Sequence, residues 1–279
     1  MKFLSFVRPD SGQASWGIVD GDGVIDMGDI APTLRAALAA QLTDKLPVSR
    51  APDYRLDQIR FLPVIPEPQK IICVAGNYEA HLREAGFTTP PKPRLFTRFA
   101  NSQLGHQQAM VRPSASVQLD YEGELAVVIG RNARHVSRQD ALQYVAGYSC
   151  YNDGSIRDWQ SHSTQYTAGK NFPMTGAFGP WMVTPDEMGD FDAATLTTRL
   201  NGVEVQRTTL GQMVLDVAAL IAYCSTFTEL LPGDVIITGT PAGVGLFHTP
   251  PLWMKAGDTV EVEIQGIGKL VNSVVDEAH

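Results

Sequence analysis

The chain has 279 residues, 44% of them hydrophobic and 19% charged, which is enough apolar material to bury a core and is untypical of a disordered protein. Its formal charge of −8 would repel phosphate backbones and anionic lipid, so we expect no nucleic-acid partner. No stretch reaches the roughly 18 uninterrupted apolar residues of a membrane-spanning helix, so we also expect no membrane partner.

Three cysteines, Cys73, Cys150 and Cys224, are odd in number and widely spaced, and each lies in an apolar stretch. This arrangement favours buried, reduced thiols over a disulfide framework or a thiolate metal site. The apolar run after Lys2 is too brief for a secretory signal. Together these features predict a cytoplasmic protein.

The first part of the chain has the pattern of a small module. Short strand-like runs split by Gly and Asp turns are followed by a helical repeat of Leu34, Leu38 and Leu42. A proline-rich stretch then forbids a continuous helix or a central strand. We therefore predict a small N-terminal α/β module over residues 1–66 and a larger domain over residues 67–279.

The larger domain opens with KIICVAGN, residues 70–77, which has the pattern of a buried strand, and a short helix is predicted after it. Asn77 is a good N-cap residue for that helix, and Gly86 suits its C-terminal end. The next stretch, TTPPKPRLF, is rich in proline. It predicts an exposed loop that could fold over a site as a lid.

Strand-like patterns dominate the remaining sequence. The longest helical pattern covers residues 211–227, and residues 116–130 have the pattern of a strand. Asn201 and Gly202 predict a two-residue hairpin turn, because both positions of that turn need a positive φ. The predicted strands cluster in consecutive runs without strict strand–helix alternation, so the sequence predicts an α+β fold with antiparallel or mixed sheets.

Two glutamates lie in one of these strand-like segments. Glu122 and Glu124 are two residues apart, so their side chains point to the same face of a strand. A solvated edge strand is the ordinary explanation of such a pair. The apolar sequence AVVIG that follows indicates instead a buried strand, where like charges need a cation or a raised pKa.

A third carboxylate, Asp153, ends another apolar segment, although Asp153 alone could simply form an Asx turn before Gly154. Three carboxylates with no His or Cys nearby suit a hard cation, Mg²⁺ or Mn²⁺. Three protein oxygens leave coordination positions for water and substrate, which a catalytic site needs. The sequence therefore predicts a metal centre formed by these three side chains.

A histidine and a glutamate lie on one face of the predicted short helix, because His81 and Glu84 are three residues apart. Glu84 could accept a hydrogen bond from one imidazole nitrogen and leave the other nitrogen as a base. An ordinary surface pair is the alternative, since such pairs occur on many helices. The loop that follows the helix favours the catalytic interpretation.

Lys170 and Arg98 each lie among small or aromatic residues, so either could bind a substrate carboxylate that the acidic exterior would repel. The alternative for each is a surface cation. The sequence ITGTPAGVG is glycine-rich, but it has neither a dinucleotide-binding nor a P-loop pattern, and no helix follows it. We therefore exclude nucleotide binding.

With these residues in view, the chain resembles the fumarylacetoacetate hydrolase family over roughly residues 68–275. The resemblance rests on ordered blocks: CVAGNYEAHLRE, DYEGELAVVIG, GYSCYNDGSIRDWQ, GKNFPMTGAFGPW, NGVEVQ, LLPGDVIITGTPAGVG and GDTVEVEIQGIGKLVN. Two departures concern the substrate pocket: the family's common GLNY is AGNY here, and Arg98 stands where a lysine is frequent.

The resemblance implies a mixed β-roll catalytic domain, usually assembled as a homodimer, with Mg²⁺ or Mn²⁺ as the cofactor. It implies that the metal ligands are Glu122, Glu124 and Asp153, and that the catalytic groups are His81, Glu84 and Lys170. The side chains expected to contact substrate are Asn77, Tyr78, Arg98, Gln160 and Thr240.

The activity expected from these features is hydrolysis of a carbon–carbon bond in a small 2,4-diketo acid such as an acylpyruvate or fumarylpyruvate. The alternative is a decarboxylase or isomerase of a small keto acid, because each of these reactions passes through the same chelated enolate. A base that activates water favours hydrolysis. A more remote alternative is a non-catalytic protein that binds small molecules through its metal.

Overall fold

Three β-sheets form the framework of the protein in the residues that this computed structural model describes, namely 1–43, 46, 50–90 and 92–278. The strands of the twelve-stranded sheet are β1 (Lys2–Val7), β2 (Ala14–Asp20), β3 (Gly23–Asp26), β4 (Tyr54–Arg55), β5 (Arg60–Phe61), β6 (Ile71–Ala75), β7 (Arg94–Arg98), β8 (Gln103–Leu104), β11 (Gly123–Ile129), β12 (Val145–Asp153), β14 (Gly176–Val183) and β17 (Val235–Ile237). A two-stranded sheet consists of β10 (Leu119–Asp120) and β13 (Ser155–Ile156). The five-stranded sheet contains β9 (Met110–Arg112), β15 (Thr195–Leu200), β16 (Val203–Thr209), β18 (Thr259–Ile264) and β19 (Gly268–Asp276).

Helices are short and few in the described chain. The α-helices are α1 (Leu34–Ala39), α2 (Glu79–Glu84), α3 (Arg157–Gln160), α4 (Thr167–Lys170) and α5 (Val217–Phe227). Short 3₁₀ turns occupy Ala100–Ser102, Ala141–Tyr144, Pro185–Glu187, Leu210–Gln212 and Gly245–Phe247. Most strand pairs are antiparallel, while β17 with β6, β8 with β14 and β9 with β19 are parallel. The α+β class with mixed sheets is confirmed.

The centre of the large sheet runs in the order β14, β12, β11, β17, β6 and β7, so the segments that carry the candidate site are neighbours. All seven residues of β11 are buried. A fully buried strand has apolar partners on both faces, which the sequence AVVI provides. The acidic start of β11 is therefore held inside the protein.

The N-terminal strands join the same sheet, because β1 pairs with β14 through Lys2 opposite Val183 and Phe3 opposite Met182. The proline-rich stretch that follows them is irregular, yet its Val64 and Ile65 are fully buried. The division into residues 1–66 and 67–279 stays a prediction. Some of the residues between 44 and 49, which the predicted N-terminal module includes, lie outside the described chain.

Two local predictions are confirmed. Asn201 and Gly202 both have a positive φ, 53° and 78°, at the hairpin between β15 and β16. Helix α5 begins after Asp216, whose side chain accepts a hydrogen bond from the Ala219 amide at 2.8 Å. It is the longest α-helix of the described residues, as the pattern over residues 211–227 predicts, but it begins at Val217, after a 3₁₀ turn at Leu210–Gln212.

The N-cap predicted for α2 is wrong. Tyr78, without a side-chain bond, occupies that position, and the Asn77 amide is used elsewhere. Asn77 donates to the carbonyls of Leu215 and Thr238 at 3.0 and 2.8 Å, and its own oxygen accepts from the Leu215 amide at 2.8 Å. Because Thr238 directly precedes Gly239, which contacts the site, Asn77 ties distant loops together.

Replacing Asn77 with alanine should lower the free energy of unfolding by about 3 kcal/mol, because three hydrogen bonds are lost, one of them buried and two partly buried, and their backbone partners are left without this side chain. Urea denaturation measures this change. Asn132→Ala is the control at an exposed asparagine, with an expected change within about 0.5 kcal/mol. Equal stability changes in the two variants would contradict the proposed role.

Candidate metal centre and substrate pocket

Three carboxylates converge where β11 and β12 lie side by side. Gly123 of β11 pairs with Asn152 of β12, so Glu122 and Asp153 are opposite each other, and the Asp153 amide donates to the Glu122 carbonyl at 2.9 Å. Opposite residues and residues two apart share one face of a sheet. Glu122, Glu124 and Asp153 therefore point into one place, and one carboxylate oxygen from each lies within 4.8 Å of the others.

Basic side chains surround two of these carboxylates. The Lys170 ammonium lies 2.6 Å from Glu122 and 2.7 Å from Asp153. Arg98 donates to Asp153 at 2.6 Å, and Arg157 lies 2.8 Å from Glu122. Burial raises the pKa of Glu122, but Lys170 and Arg157 oppose this more strongly and hold the pKa at about 2.

The third carboxylate, Glu124, has a different environment. It accepts a hydrogen bond from the Gly239 amide at 2.5 Å, and within the described chain no basic side chain forms an ion pair with it. Burial, followed by the charges of Asp153 and Glu122, raises the pKa of Glu124 well above its ordinary value. A buried acidic cluster with one unpaired carboxylate fits a bound cation.

The ligand types agree with a hard cation. Glu122, Glu124 and Asp153 offer oxygen and are buried, with exposures of 6%, 2% and 0%. Oxygen ligands are what Mg²⁺ and Mn²⁺ prefer, and three of them leave part of an octahedral shell to water and substrate. These three residues would hold the metal.

Helix α2 brings His81 to a pocket that Glu122 and Glu124 also line, and it places Glu84 next to the imidazole ring. The His81 Nδ1 atom lies 3.0 Å from one Glu84 oxygen, and the other Glu84 oxygen accepts from the Gly243 amide at 2.9 Å. The His81 side chain is 14% exposed. Glu84 is therefore anchored by the backbone of a distant loop and can fix the orientation of the imidazole ring.

The pocket lined by His81, Glu122 and Glu124 has a volume of about 620 Å³. Its charged end is lined by Glu122, Glu124, Arg157 and Lys170, and His81 lines it as well. Its apolar walls are formed by Leu82, Phe87, Phe96 and Phe247. The pocket combines a polar reaction end with an apolar channel, as small-molecule sites commonly do.

The residues predicted to contact substrate fall into two groups: some line the pocket and others lie outside its lining. Gln160 and Thr240 line the pocket. Tyr78 and Asn77 are 2% and 1% exposed and lie beneath it, outside its lining. Arg98, also outside the lining, is engaged by Asp153 and by the Thr175 hydroxyl at 2.7 Å. The structure thus pairs Arg98 with the Asp153 carboxylate and places it outside the pocket lining.

Sequence reasoning did not single out Asp120 and Arg157. Asp120 accepts hydrogen bonds from the Arg157 Nε at 2.8 Å and from the amides of Gly245 and Leu246 at 2.8 and 2.9 Å. Arg157 also donates to Gln160 at 2.9 Å. Both are charged residues beside apolar segments, and this is the signal by which the sequence indicates Glu122, Glu124 and Asp153.

One protein-family model covers most of the chain. The family model for the fumarylacetoacetate (FAA) hydrolase C-terminal region matches residues 70–275. The chain belongs to the fumarylacetoacetate hydrolase family. The resemblance inferred from the sequence blocks is thereby confirmed, and the FAA hydrolase type of fold with it.

Relatives in the fumarylacetoacetate hydrolase family include proteins with different reactions. The mitochondrial oxaloacetate tautomerase Fahd2a of Rattus norvegicus is 35% identical, with 99% of this chain and 92% of the relative covered. A fumarylacetoacetate hydrolase from Exiguobacterium antarcticum is 33% identical with a TM-score of 0.85, over 99% of this chain and 100% of that chain. The maleylpyruvate hydrolase of Sphingobium sp. SYK-6, solved with manganese(II) and pyruvate, is 25% identical with a TM-score of 0.80 and complete coverage of both chains.

Two further expectations can be compared with the structure. The helices of the described residues include none with the length and apolar character needed to cross a membrane.

Cys73, Cys150 and Cys224 are free and buried, as their apolar surroundings predict. Burial raises the pKa of Cys150 and Cys224, each to about 12, so neither is a reactive thiolate.

Proposed function

We propose that the protein is a metal-dependent hydrolase that cleaves a carbon–carbon bond in a 2,4-diketo acid. The observation that carries the proposal is His81, which lines the same pocket as Glu122 and Glu124 and is hydrogen-bonded to Glu84. A base held beside a metal centre is what activation of water requires. The family includes hydrolases that fit this assignment.

The acidic cluster would define the oxo-acid end of the substrate. Mg²⁺ or Mn²⁺ held by Glu122, Glu124 and Asp153 would supply a Lewis acid for the carboxylate and 2-oxo oxygens and for the charge that develops during cleavage. Lys170, which already donates to two of the ligands, keeps a further N–H for a substrate oxygen. We assign the remaining polar contacts of this end to Gln160 and Thr240, which line the pocket.

His81 would act on water. With Nδ1 directed to Glu84, the Nε2 atom is the one available to take a proton from a water molecule. The water oxygen attacks the 4-carbonyl carbon, and the bond between carbons 3 and 4 breaks. The electron pair stays on carbon 3, which takes up a proton, so the products are a carboxylate and pyruvate.

The size of the pocket supports a diketo acid over a smaller substrate. Beyond the charged end, apolar side chains such as Phe87 and Phe96 line additional space. An acyl group attached to the 4-carbonyl would occupy that space and bury apolar surface there. A four-carbon keto acid would leave much of a pocket of about 620 Å³ to water.

Keto–enol isomerisation of oxaloacetate is the second candidate, favoured by the rat tautomerase with 35% identity over 99% of this chain. Isomerisation would use the same acidic cluster and a proton transfer at carbon 3. His81 could transfer that proton in place of a proton from water. The two reactions therefore differ in the substrate bond that breaks.

A substrate panel distinguishes these reactions. Metal-free protein is titrated with Mg²⁺ or Mn²⁺ against an acylpyruvate, fumarylpyruvate and oxaloacetate, while the diketone or enol absorbance and released pyruvate are followed. We expect metal-dependent release of pyruvate from the diketo acids. Metal-dependent loss of the oxaloacetate enol without pyruvate would instead indicate a tautomerase, and pyruvate formed from oxaloacetate would indicate a decarboxylase.

Absence of metal-dependent turnover on all three substrates would refute the proposed activity. Binding heat without turnover in a calorimeter would then indicate a non-catalytic binder. The choice between Mg²⁺ and Mn²⁺, assembly as a homodimer and a cytoplasmic location belong to the same proposal. The manganese in the Sphingobium hydrolase supports the metal assignment.

A further inference from the structure

A buried carboxylate, that of Asp120, lies between the two functional parts of the pocket. Asp120 is the last residue of β10, and its side chain is fully buried. One of its oxygens accepts hydrogen bonds from the amides of Gly245 and Tyr121, both at 2.8 Å. The other accepts from the Leu246 amide at 2.9 Å and from the Arg157 Nε atom at 2.8 Å. All four partners are donors, an arrangement that suits an ionised carboxylate.

Arg157 connects Asp120 to the acidic end of the pocket. Its Nη1 atom lies 2.8 Å from a Glu122 oxygen and 2.9 Å from the side-chain oxygen of Gln160. The guanidinium group is a planar fork, so a bond that holds Nε at Asp120 also fixes the direction of Nη1. Asp120 therefore helps to fix the position of Glu122, one of the predicted metal ligands.

The segment Gly243–Phe247 connects Asp120 to the predicted base. Asp120 binds two amides in the middle of this segment. The amide at its start donates to Glu84 at 2.9 Å, and Glu84 contacts the His81 imidazole at 3.0 Å. The aromatic ring at its end lines the pocket, with its centroid 6.2 Å from that of the His81 ring. The surroundings of the base thus depend on a backbone segment that Asp120 holds.

Asp120 also contributes charge to the acidic cluster without being one of the predicted ligands. Acidic and basic side chains alternate in one buried series of ion pairs, which consists of Asp120, Arg157, Glu122, Lys170, Asp153 and Arg98. Asp120 shares the positive charge of Arg157 with Glu122. Without Asp120, Arg157 would pair with Glu122 alone and would compete more strongly with a cation for that carboxylate.

We propose that Asp120 is a positioning residue that holds Glu122 and the His81–Glu84 pair in a fixed relation, through Arg157 on one side and the Gly243–Phe247 segment on the other. The inference rests on the proposed function for the roles of Glu122 and His81. Asp120 lies outside the pocket lining, so it acts through these neighbours. Its loss should weaken metal binding and slow the reaction without removing a group that touches substrate.

Asp120→Asn tests both connections. Asparagine keeps the size of the side chain but replaces one acceptor oxygen by a donor, so the donors on that side lose their partner. Calorimetric titration of metal-free protein with Mg²⁺ should show an affinity about tenfold weaker than that of the wild type, because a negative charge is lost and Arg157 competes for Glu122. At saturating Mg²⁺, kcat for a diketo acid should fall about tenfold, with a smaller change in KM, because the base is displaced.

Gly245→Ala separates the two connections. A methyl group at this position would lie 2.5 Å from an Asp120 oxygen and would also collide with the Leu252 carbonyl, so the segment must move away from Asp120. The bond between Asp120 and Arg157 is left in place. We expect kcat at saturating Mg²⁺ to fall about tenfold while the affinity for Mg²⁺ stays that of the wild type. An unchanged kcat, or a loss of Mg²⁺ affinity equal to that of Asp120→Asn, would contradict the proposed role of the segment.

Asp234→Asn is the control for a purely structural effect. Asp234 is 1% exposed and has contacts of the same kind, with the Lys70 ammonium and amide, both at 2.9 Å, and the Leu231 amide at 2.8 Å. Its carbonyl binds the last residue of β11, at the end of that strand remote from the acidic cluster. Both variants should lower the melting temperature, but Asp234→Asn should leave Mg²⁺ affinity and kcat unchanged. If Asp120→Asn also changes only the melting temperature, the proposal is wrong.

The Mg²⁺ titration is independent of turnover. A wild-type protein that binds Mg²⁺ but cleaves no diketo acid would refute the proposed hydrolysis, while weaker Mg²⁺ binding by Asp120→Asn would still support the connection to Glu122. Cleavage by the wild type, with Asp120→Asn equal to it in both affinity and kcat, would refute the role of Asp120 and leave the hydrolysis intact. The two failures can therefore be told apart.

Discussion

Replacement of Glu124 by glutamine is expected to reduce metal-dependent turnover by at least about 10³-fold, because a charged ligand of the ion that stabilises the developing negative charge is lost. Glutamine has nearly the same volume, and its amide oxygen can still accept the hydrogen bond from Gly239. The substitution also replaces a buried carboxyl group whose ionisation the surroundings disfavour, since burial and the charges of Asp153 and Glu122 raise its pKa. The fold should therefore be retained.

Steady-state kinetics at increasing Mg²⁺ or Mn²⁺, together with thermal unfolding with and without the metal, measures this effect. A ligand that binds the folded state raises the melting temperature, so the wild-type protein should be stabilised by the metal and Glu124→Gln much less so. Glu229→Gln, at an exposed glutamate, is the charge-matched control and should behave as the wild type. Full activity of Glu124→Gln, or of wild-type protein in the presence of a chelator, would contradict the metal centre.

Replacement of His81 by alanine is expected to reduce pyruvate release from a diketo acid by about 10²- to 10⁴-fold, the usual contribution of a general base. His81 is not a predicted metal ligand, so stabilisation by Mg²⁺ or Mn²⁺ should persist. Glu84→Gln should have a smaller effect in the same direction, because it weakens the contact at 3.0 Å that orients the ring. Initial rates and melting temperatures measure both effects.

His162→Ala provides the control for the histidine. His162 is exposed and packs on Trp159, with ring centroids 4.9 Å apart, outside the pocket lining. Its loss should leave the rate unchanged. Unchanged pyruvate release in His81→Ala would be incompatible with a base at this position. If His81→Ala loses hydrolysis of diketo acids but still isomerises oxaloacetate, the role of His81 is limited to activation of water.

These predictions concern side chains that can be identified from the sequence, because their spacing matches the period of a strand or a helix. The spacing of Glu122 and Glu124 on a strand, and of His81 and Glu84 on a helix, follows from the period of each element. The positive φ of the Asn201 turn is likewise a local property. Local periodicity and residue type were sufficient for these features.

Other parts of the site depend on contacts between residues far apart in the chain. The Gly243 amide donates a hydrogen bond to Glu84, 159 residues away in the sequence. Arg157 donates a hydrogen bond to Asp120, 37 residues away. Asn77 is a good N-cap by residue type, but it does not cap α2, because its side chain donates hydrogen bonds to the carbonyls of Leu215 and Thr238 instead. The type of a residue determines which groups its side chain can bind. Which of those groups lie next to it depends on the tertiary structure.

The sequence by itself determined the acidic cluster, the histidine pair, the α+β class and the family, since each is encoded in a local pattern or an ordered series of blocks. The tertiary structure alone decided that Arg98 pairs with Asp153 while Arg94, four residues earlier on the same strand, lines the pocket beside the Phe87 ring. The physical reason is that pairing and burial are set by the surrounding elements. Two arginines of one strand thereby acquire different partners.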